Sequence, residues 1–216
     1  MPRIPRAQIP DYVYHVINRG NARAIVFHKD DDYFTFINLL AEAKSKFPVK
    51  TLAFCLMPNH FHLVLQPETS LTLSTFMQWF LTCHVRRYHR IYRTSGHVWQ
   101  GRYKSFPIQQ DEHLLTVIRY VLRNPVRARL ARRTDQWPWS SIQYPEIIDS
   151  WPLPQPPNWN QWIEQPLSAQ ELMRIRTCVN RQAPFGTSDW QEKIVKQTGL
   201  ESTLRPRGRP RKTLEK

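Results

Sequence analysis

The hydrophobic pattern changes period repeatedly through the first 130 or so residues, and this alternation restricts the chain to few folds. Runs of β-branched and aromatic residues alternate with segments whose apolar residues recur at the helical spacing. The predicted order of elements is β-α-β-β-α-β-α. Its first six elements match the ferredoxin-like, split βαβ arrangement, an α+β fold in which helices pack on one face of an antiparallel sheet. We expect the other face to be free for function.

Turn and cap signals predict the bounds of these elements. The first strand ends at the turn Arg19-Gly20-Asn21, and Asp30 is predicted to cap a helix that stops before Pro48. The chain then gives two strands at 49–57 and 61–66, a helix from about Thr72, a strand within 99–108, and a helix capped by Asp111 that ends at Asn124-Pro125.

The composition changes near residue 136, where prolines and tryptophans become frequent. We therefore predict a main domain over 1–135 and a Trp- and Pro-rich segment over 136–166. That segment either packs back on the main domain or links it to the C-terminal part of the chain, since proline excludes regular structure there. A small helical appendage over 167–204 and a basic, disordered tail over 205–216 complete the predicted organisation.

The charge indicates a polyanionic partner. The chain has 31 Lys and Arg against 17 Asp and Glu, a formal net charge of +14. Nucleic acid is the usual partner of such a chain, although a basic soluble protein without that role is the alternative. The three cysteines have no paired spacing, and no segment is apolar enough to span a bilayer. We expect a soluble, intracellular protein without a membrane partner.

Two histidines, His60 and His62, lie two residues apart in a predicted strand. Side chains at i and i+2 of a strand point to the same side, so both imidazoles can meet one ligand. Phe61 points the other way and is expected to pack in the core. The pair makes half of a metal site, or else two half-buried histidines without a ligand.

Tyr120 and Asn124 lie on the last predicted helix. At about 100° per residue, Tyr120 is roughly 160° from the centre of the core-facing stripe at Ile118, and Asn124 is one turn further along the same side. This placement suits a nucleophile beside a metal ligand, or else a surface tyrosine before an Asn-Pro helix stop. A phenol has a pKa of about 10, so a nearby cation or base must favour the phenolate.

Five blocks occur in an order that is more specific than the His-x-His pair alone. They are YHVINRGN at 14–21, MPNHFHLVLQP at 57–67, GHVWQGRYKS at 96–105, RYVLRNPVRA at 119–128 and WPWSS at 137–141. In this order they resemble the REP-associated tyrosine transposases, which are single-tyrosine HUH transposases. The resemblance covers roughly residues 12–144.

The resemblance implies an activity and roles for four residues. His60 and His62 match the HUH metal ligands, Tyr120 matches the nucleophile that forms a 5′-phosphotyrosine, and Asn124 stands where relatives have a polar third ligand. It also implies Mg²⁺ or Mn²⁺, a substrate of short palindromic repeats extruded as single-stranded hairpin DNA, and a bacterial host. The protein would then act in the cytoplasm, at the nucleoid.

Basic and aromatic residues are candidates for holding DNA. The candidates near the predicted site are Arg19, Arg23, Arg102 and Lys104, and a second basic group is Arg86, Arg87 and Arg90. Tyr103 and Trp99 either stack on unpaired bases or pack in the core. In the tail, Arg207-Gly208-Arg209 resembles an AT-hook for A·T-rich duplex DNA, with a generic basic tail as the alternative.

Three other functions compete with strand transfer. The first is a domesticated hairpin-binding protein that does no chemistry, and the second is a metal-dependent hydrolytic nuclease that forms no covalent adduct. The third is a ferredoxin-like RNA-binding module, which would place stacking aromatics where this chain has His60 and His62. A lone tyrosine is compatible with action within one chain or across a dimer.

Overall fold

The computed structural model describes residues 9–69 and 72–205. The strands are β1 (Val13–Arg19), β2 (Val49–Met57), β3 (His60–Pro67) and β4 (Lys104–Ile108). The helices are α1 (Asp30–Lys46), α2 (Thr72–Tyr92), α3 (Glu112–Leu122), α4 (Asn124–Arg127), α5 (Trp159–Glu164), α6 (Ala169–Arg181), α7 (Ser188–Thr198) and α8 (Glu201–Leu204). Within the described residues, no helix is long and apolar enough to cross a membrane.

The four strands form one antiparallel sheet in the order β2-β3-β1-β4. This is the order of the predicted ferredoxin-like fold. β2 and β3 are joined through Pro58 and Asn59, as the sequence predicts. Register places Ile17 of β1 opposite His62 of β3, and Ile17 also pairs with Lys104 of β4. The predicted histidine strand is therefore central in the sheet.

Helices cover both faces of the sheet, so one expectation needs correction. α1 and α2 bury their apolar stripes on one face, where Phe36, Phe76 and Phe80 are fully buried against sheet residues such as Phe61. The other face is not free, because α3 packs on it through Leu114, Val117 and similar side chains. A functional site on that face must therefore lie in a pocket between the sheet, α3 and the elements that pack beside α3.

Of the two predicted helix caps, the cap of α3 is confirmed and the cap of α1 is wrong. Asp111 caps α3, and its carboxylate accepts a hydrogen bond from the backbone N–H of His113. Asp30, predicted as a cap, is instead the first residue of α1. The carboxylate of Asp32 takes the capping role by accepting from the backbone N–H groups of His28 and Lys29. A run of three acidic residues stabilises this helix start whichever residue caps it.

The Trp- and Pro-rich segment runs along the outer edge of β2. The backbone N–H of Leu56 donates to the carbonyl of Trp139, and that of Ser141 donates to the carbonyl of Phe54. The indole N–H groups of Trp137 and Trp151 each donate at 2.9 Å to β2 carbonyls, those of Leu56 and Leu52. These bonds satisfy the backbone groups of an otherwise unpaired strand edge.

The last helices pack beside β4 and α3. Phe185, between α6 and α7, donates its backbone N–H to the carbonyl of Pro107 and accepts from that of Gln109, so it pairs with the outer edge of β4. Arg119 of α3 forms a 2.8 Å ion pair with Glu171 of α6. The predicted domain boundaries stay predictions, but α6 is placed against the sheet face that carries α3.

Candidate active site

The two histidines of β3 line one pocket. His60 and His62 have ring centroids 5.0 Å apart, and both face a cavity of about 350 Å³ between the sheet, α3 and α6. His62 is fully buried, and its Nε2 has no hydrogen-bond partner. His60 Nδ1 lies 2.7 Å from Asn59 Oδ1. A buried, unpartnered ring nitrogen in a polar pocket is consistent with a ligand that the protein is built to hold.

Burial keeps these imidazoles neutral. It lowers the pKa of His60 to about 3, and the positive charges of Arg19 and Arg127 act in the same direction. The pKa of His62 is well below its ordinary value because of burial, with His60 and His15 contributing further. A neutral imidazole has a free lone pair, which is the form that binds a metal ion. The donor set therefore fits a divalent ion at neutral pH.

Tyr120 of α3 meets the histidines in this pocket. Its ring is 6% exposed and lies edge-on to that of His62, with centroids 5.8 Å apart. Neighbouring α3 residues Val117, Ile118 and Val121 are fully buried. The helical wheel predicts that Tyr120 points away from the core-facing stripe, whereas its ring faces the sheet and packs in the same buried cluster as these residues. Tyr120 meets the histidines because they lie on that face of the sheet.

Asn124 is buried and lines the same pocket. Its side-chain N–H₂ donates to the carbonyls of Tyr120 (3.1 Å) and Val121 (3.3 Å), and its Oδ1 accepts from Arg127. The oxygen that a third metal ligand would use therefore already accepts one hydrogen bond from a guanidinium. An amide oxygen has two lone pairs, so its second lone pair stays available to a metal ion.

Three arginines from separate parts of the chain surround the pocket. Arg19 ends β1, Arg127 belongs to α4, and Arg176 belongs to α6. The Arg127 guanidinium lies over the Tyr120 ring, 4.3 Å from its centre. Burial lowers the pKa of Arg127, and the charge of Arg176 adds to this effect. Such a concentration of positive charge favours a phosphate group.

A second basic pocket adjoins the first. It has a similar volume, about 350 Å³, and includes Arg102 and Lys104, two of the predicted DNA-binding residues. Both pockets share Arg19 and the α6 residues Val179 and Asn180. A phosphate backbone could thus be held from Lys104 towards Tyr120.

The other predicted DNA-binding residues are placed elsewhere. Arg23 is exposed in the turn after β1. Arg86, Arg87 and Arg90 lie on α2, which packs on the opposite face of the sheet from α3. Tyr103 is 5% exposed within the core on the α1 and α2 face, so it could stack on a base only if the core opened there. Arg207, Gly208 and Arg209 lie outside the described residues.

Four site residues are missing from the sequence predictions: His15, Arg127, Arg176 and Asn180. His15 is two residues before Ile17 on β1, so period two places it on the site face of the sheet. Arg127 belongs to a recognisable block, one turn beyond Asn124. For Arg176 and Asn180 there is no local signal, because tertiary packing of α6 brings them to the pocket.

A second group of metal-binding residue types is explained by helix capping. Asp111, Glu112 and His113 place their donor atoms within 4.8 Å of one another at the start of α3. Asp111 Oδ1 lies 2.8 Å from His113 Nδ1 and also accepts from the His113 backbone. These contacts are those of a cap. The three residues do not line the pocket that Tyr120 shares with His60 and His62, which is called the tyrosine pocket below.

The chain is similar to known proteins in sequence and in fold. Residues 8–124 match the family described as "Transposase IS200 like". A Haemophilus influenzae protein described as a REP-associated tyrosine transposase is 29% identical over 107 residues, which is 44% of this chain and 60% of that protein.

Two solved structures are similar to the chain. One is a REP-associated tyrosine transposase bound to a REP hairpin, which has a TM-score of 0.56 at 14% identity and covers 78% of this chain and 100% of its own. A Deinococcus radiodurans protein described as a transposase has a TM-score of 0.40 at 19% identity, covering 57% and 97%. At that identity, the first similarity shows a shared fold.

Proposed function

Because the chain belongs to the IS200-like transposase family, we propose that it cleaves and rejoins single-stranded hairpin DNA through a tyrosine nucleophile. The observation that carries this proposal is the meeting of Tyr120 with His60 and His62 in one arginine-lined pocket. A phenol, two neutral imidazoles and three guanidiniums match the needs of a phosphodiester reaction.

The nucleophile is the phenolic oxygen of Tyr120. It attacks the scissile phosphorus, the bond from phosphorus to the 3′-oxygen breaks, and a 5′-phosphotyrosine forms. The phenol loses one proton and the leaving 3′-oxygen gains one, so the step has no net proton change. Attack by a 3′-hydroxyl on the same phosphorus reverses the step. The ester conserves the bond energy, so rejoining needs no ATP.

The residues that would hold a divalent ion are His60 and His62, with Asn124 as a third ligand through the lone pair that its hydrogen bond with Arg127 leaves free. Bound there, Mg²⁺ or Mn²⁺ would polarise the scissile phosphate and offset the charge that develops on the leaving oxygen. Burial holds both imidazoles neutral, and so available as ligands, without any metal present.

Arginines and a lysine would position the strand. Arg19, Arg127 and Arg176 surround the place that the scissile phosphate must occupy, and Arg102 and Lys104 continue the basic surface. Such contacts give affinity without sequence information. The substrate class is inferred from the similarity to a transposase bound to a REP hairpin, and the reaction would take place in the bacterial cytoplasm, at the nucleoid.

The test is covalent capture on a denaturing gel. The protein is incubated with labelled single-stranded hairpin DNA and Mg²⁺ or Mn²⁺, and adducts are separated from free DNA. We expect an adduct in the wild type and in Tyr144→Phe, whose ring packs by Phe54 on the opposite face of the sheet, and none in Tyr120→Phe. His60→Ala and His62→Ala should abolish it as well.

Each other outcome favours a competing function. Cleavage without an adduct would indicate a hydrolytic nuclease. Tight binding with neither cleavage nor adduct would indicate a domesticated hairpin-binding protein. An adduct that persists in Tyr120→Phe would move the nucleophile to another residue and overturn the proposal.

A further inference from the structure

A third histidine lies behind the two that face the pocket. His15 of β1 is completely buried, and its Nε2 lies 2.8 Å from Nδ1 of His62. The two rings are close to parallel, with an interplanar angle of 24° and centroids 5.0 Å apart. The proposed mechanism assigns His15 no role, yet it lies within hydrogen-bond distance of His62.

Sheet register explains this contact. Ile17 lies opposite His62, and His15 is two residues earlier on β1, so its side chain emerges on the same face as a diagonal neighbour of His62. Phe106 of β4, directly opposite His15, packs on it with a centroid distance of 5.0 Å. His15 is therefore held between two strands and has no route to solvent.

Only one hydrogen can lie between these two nitrogens. In one arrangement His62 Nδ1 carries the hydrogen and donates it to His15 Nε2, which leaves the lone pair of His62 on Nε2. In the other arrangement His15 donates, and His62 then carries its hydrogen on Nε2. The outer nitrogens, His15 Nδ1 and His62 Nε2, are both buried without a partner. No hydrogen bond to these outer nitrogens therefore fixes the tautomer. It depends on the contact between the two rings and on a ligand in the pocket.

We propose that His15 is a positioning residue that accepts the hydrogen bond of His62 Nδ1–H and so directs the Nε2 lone pair of His62 into the pocket. The inference rests on the proposed function, in which His62 binds a divalent ion. Histidine ligands usually donate their second N–H to a carboxylate, a carbonyl or water, which fixes ring and tautomer. Here a neutral imidazole fills that place, and it adds no negative charge beside the phosphate.

The two tautomeric arrangements contain the same number of protons. When His62 changes from the second arrangement to the first, its Nδ1 takes the shared hydrogen and its Nε2 loses one, while His15 gains one on Nδ1. Both rings stay neutral, so the total number of protons on the pair is constant. Metal binding would select the first arrangement from the two.

The experiment measures Mn²⁺ binding to the full chain without DNA, by isothermal titration calorimetry. His15→Leu fills the space without an acceptor, and His15→Gln places an amide oxygen near the position of Nε2. Loss of an outer-shell partner typically weakens metal binding about 10- to 100-fold, so we expect that loss in His15→Leu and recovery to within a few-fold of wild type in His15→Gln.

The matched control is His84→Leu. His84 of α2 is also buried and also has an unpartnered Nδ1, but it packs by Phe36 on the opposite face of the sheet. It should leave Mn²⁺ affinity unchanged. Wild-type affinity in His15→Leu, or equal losses in His15→Leu and His15→Gln, would overturn the inference.

Two further measurements distinguish a failure of the proposed metal site from a failure of the role inferred for His15. If His60→Ala and His62→Ala bind Mn²⁺ as the wild type does, the proposed metal site fails, whatever His15 does. If His15→Leu does not fold, ¹⁵N-resolved NMR of the wild-type imidazoles with Mg²⁺ decides the tautomer. Hydrogen on Nδ1 of His62 supports the inference, and hydrogen on Nε2 contradicts it.

Discussion

The guanidinium of Arg127 lies against the ring of Tyr120, 4.3 Å from its centre, and about two turns of helix separate the two residues in sequence. Cations are attracted to the face of an aromatic ring, so this contact fixes the ring that carries the nucleophile. The same guanidinium holds the side-chain oxygen of Asn124. One side chain thus connects the proposed nucleophile with a proposed metal ligand.

Replacing Arg127 by alanine should slow formation of the covalent adduct. A cation over an aromatic ring contributes about 0.5–2 kcal/mol, so we expect roughly a 2- to 30-fold lower single-turnover rate. Arg132→Ala, which removes an exposed arginine outside the pocket, is the control. An unchanged rate in Arg127→Ala would show that the contact does not assist the reaction.

Arg176→Ala should weaken DNA binding in a salt-dependent manner. Arg176 reaches the tyrosine pocket from α6, and each phosphate contact to a single strand contributes about 0.7 to the slope of log affinity against log salt. We expect the slope to fall by about that amount, measured by fluorescence anisotropy with a hairpin oligonucleotide. Lys196→Ala, an exposed position on α7, should leave it unchanged. Tighter binding in Arg176→Ala would indicate instead that α6 obstructs the DNA.

Acid should destabilise the fold before the carboxylates titrate. Burial lowers the pKa of His15 and of His60 from 6.5 to about 3, so below pH 6.5 the unfolded chain binds protons that the folded chain does not. The contribution of these histidines to the free energy of unfolding is therefore complete above pH 6.5 and is lost as the pH falls towards 3. Each such histidine contributes about 1.4 kcal/mol per pH unit in this window.

Urea unfolding at several pH values between 4 and 7 measures this effect. The free energy of unfolding should depend less steeply on pH in His15→Leu than in the wild type, by about one proton. Parallel pH profiles for the two proteins would show that unfolding does not change the protonation of His15.

Trp137→Phe should destabilise the fold with little effect on DNA binding. The substitution removes the indole N–H that donates to the Leu56 carbonyl at 2.9 Å. A net loss of about 1 kcal/mol or slightly more in the free energy of unfolding is expected for one such bond. Trp79→Phe on α2 makes the same change in size away from the Trp- and Pro-rich segment, and the difference between the two variants measures the hydrogen bond. Equal losses would assign the effect to packing.

Local pattern was sufficient for much of this fold. The period-two spacing placed His60 and His62 on one side of a strand, which is a property of a few consecutive residues. The helical wheel did not predict that Tyr120 faces the sheet, because α3 is buried on several sides, between the sheet and α6. The split βαβ order likewise arises from the succession of periods.

Long-range packing determined the rest. Arg176 reaches the pocket because α6 packs on α3, and the two helices are far apart in sequence. Asn124 has the predicted place, and its oxygen also accepts a hydrogen bond that the sequence did not predict, because Arg127 of the short helix α4 turns back towards it. The sheet face that was expected to be free is covered by α3. The apolar pattern of α3 predicts that the helix is buried, but it does not predict on which face of the sheet the helix packs.

The two borders of the sheet limit how this molecule can meet a second copy of itself. The Trp- and Pro-rich segment bonds along β2, and Phe185 bonds along β4, so within the described residues both outer strands already have partners. A second copy cannot extend the sheet into a continuous dimer without displacing one of them. Each copy then keeps its own tyrosine pocket, and the proposed joining of two DNA ends would require either two encounters with one molecule or contact between copies through helices and loops.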